Sequence, residues 1–88
     1  MQRTRLVLYV GDFCPLCDEA RDRVCQVMPA GLEFREIVID GDPVLKSAYG
    51  VRIPVLAVID DKGVLLAEKG WPFSAGQVRR MLAEQGFL

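Results

Sequence analysis

The sequence predicts an α/β fold with the element order β-α-β-α-β-β-α, and three features carry that expectation. The runs Leu6–Val10 and Val55–Ile59 are short, almost wholly apolar and rich in branched residues, as buried strands are. Pro15 and Pro43 stand where helices can begin, because a first helical position has no use for the N–H that proline lacks. Asp60-Asp61-Lys62-Gly63 supplies a tight turn that joins a third strand to a fourth.

Taken in order, Leu6–Val10 is the first strand. After Pro15, Leu16, Ala20, Val24, Val27 and Met28 recur at helical spacing with Asp18, Arg21, Asp22 and Arg23 between them. Pro29-Ala30-Gly31 ends that helix, and Glu33–Ile39 reads as the second strand. Asp42 caps a short helix whose apolar side is Val44, Leu45, Ala48 and Tyr49 and which Gly50 ends. Val55–Ile59 belongs in the centre of a sheet, with Val64–Glu68 as its hairpin partner. Ser74 caps a last helix with Val78, Met81 and Leu82 facing inward and Arg79 and Arg80 outward.

At 88 residues the chain is expected to form one domain, residues 1–88, with a modest core. A hydrophobic fraction of 51% with 26% charged residues is ordinary globular composition, and it excludes a disordered chain. The net charge of −1 argues against a nucleic-acid partner held by a basic surface. No apolar run approaches the roughly 20 residues of a membrane helix. Met1–Arg5 leads into a strand-like run broken by Gly11 and Asp12, unlike a signal peptide, so a cytoplasmic monomer is expected.

Three cysteines and no histidine narrow the chemistry. The odd number suits a reactive pair better than a disulfide framework. A structural zinc site lacks its second ligand pair, and a Ser or Cys hydrolase lacks its usual base, so neither a metal nor an organic cofactor is expected. Cys14-Pro15-Leu16-Cys17 places two thiols at the junction of a strand and a helix. The free N–H groups and dipole of the first turn stabilise a thiolate, so Cys14 is expected to have a lowered pKa and to attack disulfides. Cys17, one turn on, would be more buried and would resolve the mixed disulfide. Two reduced cysteines that merely open a helix are the plain alternative.

Cys25 lies about 16 Å along the helix from Cys14 at ~1.5 Å per residue, out of bridging reach, and is expected to pack on the helix flank. Asp60-Asp61 is read as turn chemistry, and Asp40 and Asp42 as loop and cap residues. Ile53-Pro54 opens the third strand, where a proline costs no ladder bond. A cis bond there would leave the Ile53 backbone free to bond an incoming peptide or glutathione.

With C-P-x-C followed by Ile53-Pro54, a hairpin and a final helix, the chain resembles the thioredoxin superfamily, and within it the glutaredoxin-like branch. The resemblance spans nearly the whole chain. It implies a four-stranded mixed sheet flanked by helices on both faces, a cis Pro54 against the cysteines, and thiol–disulfide oxidoreductase activity. Cys14 and Cys17 would be catalytic, and Phe13, Pro15, Arg52, Ile53, Pro54, Gly70 and Trp71 would contact substrate. Partners would be protein disulfides or glutathione mixed disulfides, with electrons from glutathione or a reductase. Some departures bear on glutathione. Leu16 replaces the tyrosine of C-P-Y-C, Asp12 lies where glutaredoxins usually carry a lysine or arginine, and Trp71 replaces the second glycine of a Gly-Gly pair. Arg52 is then the best anchor for an anion, with a plain surface arginine as the competing reading, and Trp71 is a wall beside the dithiol or a core residue. Two other functions fit such a domain: an iron–sulfur cluster carrier using the first cysteine, against which Pro15 argues, and a redox-inert module that binds protein at Pro54.

Overall fold

A computed structural model describes residues 4–88. The expectation for the N-terminal stretch lies, for Met1–Arg3, outside the described residues. The chain folds as β1 (Arg5–Val10), α1 (Pro15–Cys25), β2 (Glu33–Val38), α2 (Pro43–Tyr49), β3 (Val55–Ile59), β4 (Leu65–Gly70) and α3 (Ala75–Glu84). The strands form one mixed sheet in the order β2-β1-β3-β4. β1 runs parallel to β2 and antiparallel to β3, and β3 runs antiparallel to β4 with an irregularity at Val58/Ile59.

β1 and β3 are the two inner strands, and their apolar runs follow from burial on both faces. Leu6, Leu8, Val10, Leu56 and Val58 point to one face, where Cys17, Ala20 and Val24 of α1 and Val78, Met81 and Leu82 of α3 cover them. Val7, Tyr9, Val55, Ala57 and Ile59 point to the other, against Ile39 and the half-buried Leu45, Tyr49 and Ile53. The faces are thus covered unequally, by two helices on one side and a single helix of 7 residues on the other.

Local chemistry sets the element ends. Asp42 accepts the N–H groups of Val44 and Leu45 to cap α2. Ser74 and Gln77 close a reciprocal capping box on α3, each accepting the other's backbone N–H. In the hairpin, Asp60 Oδ1 accepts from Lys62 and Val64, and Gly63 takes a φ of 83° that a side chain would resist.

Several expected details change. α1 stops at Cys25, and Val27 and Met28 pack on the core from beyond its end, which explains why their spacing looked helical. Leu16 faces solvent and Cys17 takes the inward position instead. β2 ends one residue earlier, at Val38, and β4 is shifted to Leu65–Gly70. Val44 and Ala48 lie on the exposed side of α2. Cys25 is an exposed free thiol rather than a packing residue, because the outward side of α1's last turn meets no neighbouring element.

Candidate redox site

The loop from β1 to α1 delivers Cys14 as the residue that caps α1. Its backbone is extended (φ −115°, ψ 95°), Pro15 starts the helix, and Cys14 Sγ accepts the Cys17 N–H at 3.1 Å. The Cys14 carbonyl accepts from Cys17 and Asp18, so the first turn is tightly wound. The two cysteines are joined as a disulfide, with Cα atoms 5.2 Å apart. Their exposures differ as expected: Cys17 is only 2% exposed and packed in the core, whereas Cys14 is half-buried at its margin.

Two contacts hold this loop in place. The Asp12 N–H donates to Asp40 Oδ2 at 2.8 Å, tying the loop to the end of β2. A Cβ added to Gly11 would lie 2.7 Å from Ile53 Cδ1, so the loop passes against Ile53 as closely as a glycine allows. Between these contacts and Cys14, Phe13 adopts a positive φ of 52° with its ring fully exposed. That conformation is rare for a bulky residue.

On the opposite side, the Ile53–Pro54 bond is cis and Pro54 is fully buried. The Trp71 N–H donates to the Pro54 carbonyl at 3.0 Å, and Gly70 pairs with Val55. Trp71 packs on the same core cluster as Cys14 and meets Phe73 edge-on at 5.1 Å between ring centres. It is therefore both a support of the core and a partly exposed wall. The Trp71–Pro72 bond is also cis.

The structure thus gathers Cys14, Cys17 and Trp71 in one cluster, puts Pro54 beside Trp71 and Ile53 beside Gly11, and leaves Pro15 exposed at the helix start. Arg52 is otherwise engaged. Its guanidinium donates to the Ala48 carbonyl at 3.0 Å, lies 3.7 Å from Glu68 Oε1 and sits over the Tyr49 ring at 5.0 Å. The Ile53 N–H is engaged as well, donating to the Tyr49 carbonyl at 3.1 Å. This corrects the expectation for the donor half of that backbone, which the turn after α2 uses instead.

Sequence reasoning missed Gly11, Glu68 and Tyr49. Tyr49 stacks on Tyr9 with ring centres 4.4 Å apart and completes the group that holds Arg52. Burial raises the pKa of both tyrosines above 10.0, and the nearby Glu68 carboxylate raises them further. No local sequence pattern marks these three residues. Ser74 as a cap, in contrast, was read from the sequence, though its reciprocal partner Gln77 was not.

A thioredoxin-like sheet with a dithiol at the start of its first helix defines a class, the glutaredoxin-like proteins of the thioredoxin superfamily. The chain belongs to the family described as Glutaredoxin-like domain (DUF836), whose model matches residues 5–83. It is similar to target protein XcR50 from X. campestris. The X-ray structure of that protein is 40% identical over 90% of this chain and 96% of that one, with a TM-score of 0.72. Its solution structure is 42% identical over 91% and 94%, with a TM-score of 0.70. A mutant thioredoxin from Halobacterium salinarum NRC-1 shares the fold, with a TM-score of 0.71 at 23% identity over 92% of this chain and 73% of that one. No curated protein matches the chain significantly. The family, the fold and the close cysteine pair support a redox-type function. Among the described residues, no helix is long and apolar enough to cross a membrane.

Proposed function

We propose that the protein is a thiol–disulfide oxidoreductase in which Cys14 attacks and Cys17 resolves. One observation carries this reading: Cys14 is half-buried at a helix N-terminus, its Sγ accepts the Cys17 N–H, and it is covalently paired to a buried Cys17. A thiolate at Cys14 gains from that N–H and from the positive end of α1. Cys17, shielded in the core, reacts only when a mixed disulfide brings a target sulfur onto its neighbour.

The cycle conserves atoms and electrons. The Cys14 thiolate attacks one sulfur of the substrate disulfide, that S–S bond breaks, and the other substrate sulfur leaves as a thiolate that takes up a proton. Cys17, deprotonated, then attacks Cys14 Sγ. The mixed disulfide breaks, the second substrate sulfur leaves as a thiol, and the Cys14–Cys17 bond remains. Two electrons pass to the substrate, and glutathione or a reductase must restore the dithiol. Phe13, Pro15 and Trp71 are the exposed neighbours that would contact the substrate, with the buried Pro54 holding the chain behind Trp71.

Equilibration against dithiothreitol redox buffers, with mass spectrometry on each cysteine, tests the proposal. The expected result is a reversible two-electron transition of Cys14 and Cys17, together with a mixed disulfide trapped at Cys14 in C17S and none in C14S. Cysteines that stay reduced across the whole range, or adducts that form at Cys17 instead, would overturn it.

A further inference from the structure

Resting on the oxidoreductase reading, we propose a substrate class for Cys14: a disulfide within a protein segment, apolar beside the cystine and basic at its flanks, rather than glutathione.

The first support is Phe13. Its ring is 102% exposed, and its backbone occupies the left-handed region that a glycine would adopt without steric cost. An aromatic residue that buries nothing and sits in a disfavoured conformation contributes nothing to the fold, and an outlier of this kind beside a reactive group points to recognition. Val51, 101% exposed, lies in the chain just before Arg52, in the loop that carries Ile53 to its contact with Gly11. Leu16, 47% exposed, and the partly exposed Trp71 complete an apolar margin on the segments that frame Cys14.

The second support is that three groups that could meet glutathione already have partners within the chain. The Ile53 N–H is given to Tyr49, and the Arg52 guanidinium is held by Ala48, Tyr49 and Glu68. The Gln77 N–H at the start of α3 is given to Ser74 Oγ within the capping box. A carboxylate arriving at either backbone N–H would have to break an existing bond, and one arriving at Arg52 would meet the Glu68 carboxylate already beside it.

Charge supplies the third support and selects the occupant. Asp12, Asp18, Asp40 and Glu36 lie on or next to the Cys14 loop and the first turns of α1. Three cations answer them: Arg21, shared between Asp18 and Glu36, Lys46, 3.8 Å from Asp40, and Arg23, which lies in the cleft beside Trp71 but is itself 3.7 Å from the further carboxylate of Asp22. The surroundings of the thiolate are therefore acidic and disfavour glutathione, which carries two carboxylates and one ammonium. Lysines or arginines flanking a cystine would complement them.

The test uses C17S, so that a single attack is observed. Four disulfides are offered: uncharged 2-hydroxyethyl disulfide, glutathione disulfide, and one leucine-containing cystine peptide flanked by lysine or by glutamate. Each rate is divided by that of the same disulfide with 2-mercaptoethanol thiolate, which removes intrinsic reactivity. The lysine-flanked peptide is expected to exceed both glutathione disulfide and the glutamate-flanked peptide by about tenfold, a ratio that shrinks in high salt. F13G is expected to lower the rate with the lysine-flanked peptide. Glutathione disulfide reacting as fast as that peptide would overturn this substrate class while leaving the oxidoreductase standing, as would equal rates for the two peptides. An inert Cys14 toward even the uncharged disulfide would overturn the underlying reading.

Discussion

The two faces of the sheet are built from the same inner strands but closed by different means. Under α1 and α3 the helices close the face with aliphatic residues, Ala20, Val24, Val78, Met81 and Leu82, joined by Phe73, with Cys17 inside the cluster and Cys14 at its edge. Under α2 no helix residue is fully buried, and the closure is completed by the Tyr9–Tyr49 stack with Arg52 and Glu68 beside it. The contrast separates two tasks. The first face supplies rigidity behind Cys17, and the second fixes the turn that leads into Pro54. A side chain removed from one should affect stability; from the other, the disposition of a loop.

The largest effect that sharpens this contrast comes from the cores. Leu82 is fully buried between α3 and the sheet, so Leu82→Ala should cost about 2–5 kcal/mol in urea unfolding. Leu45 is only half-buried, and Leu45→Ala should cost less than about 1.5 kcal/mol, since less apolar surface is lost. Equal costs would mean that the α2 face is as tightly closed as the other, and would break the comparison.

Legibility in the sequence follows the same division. Leu6–Val10 and Val55–Ile59 announced themselves because strands buried on both faces must be apolar throughout. Pro15, Asp42 and Ser74 marked helix starts because capping is local chemistry. The outer strand β4 was displaced in the reading because its leading residues, Leu65 and Leu66, are both half-exposed and show no inward-outward alternation. Cys14 and Cys17 were visible for the same reason as the caps, since their spacing is local, whereas Pro54 stood out only in combination with the C-P-x-C motif far upstream. Gly11 against Ile53, Asp12 on Asp40 and Arg52 with Glu68 join residues far apart in the chain, and only the folded topology brings them together. The conformation of Phe13 leaves no trace in its identity, since positive φ is the habit of glycine and asparagine.

Next in size are the caps, one on each face. Ser74→Ala and Asp42→Ala each remove a side chain that accepts backbone N–H groups at an exposed helix start, and each should cost about 1 kcal/mol in the same unfolding measurement. The caps should be alike where the cores differ. A much larger cost for Asp42→Ala would show that α2 is held by its cap more than by packing.

A smaller effect belongs to the second face alone. Burial, with help from Glu68, raises the pKa of Tyr9 and Tyr49 above 10.0, so the folded state favours the neutral phenols. Above pH 10 the unfolded chain holds fewer protons than the folded one, so stability must fall as pH rises through that range. Tyr49→Phe should make the decline between pH 10 and 11.5 shallower. An unchanged decline would place its origin outside this stack.

The smallest stability change should carry the most information about the site. Arg52 and Glu68 are 3.7 Å apart and both partly exposed, so Glu68→Gln should cost less than about 1 kcal/mol. It also removes the carboxylate that keeps Arg52 from other anions and that helps to raise the Tyr49 pKa. With that charge gone, C17S should react faster with glutathione disulfide relative to 2-hydroxyethyl disulfide, and the alkaline loss of stability above pH 10 should become smaller. If the alkaline loss shrinks while the glutathione ratio stays fixed, Arg52 does not reach the disulfide and the second face serves only to hold the Pro54 turn. If both move, a single carboxylate on β4 helps to decide which disulfides Cys14 accepts.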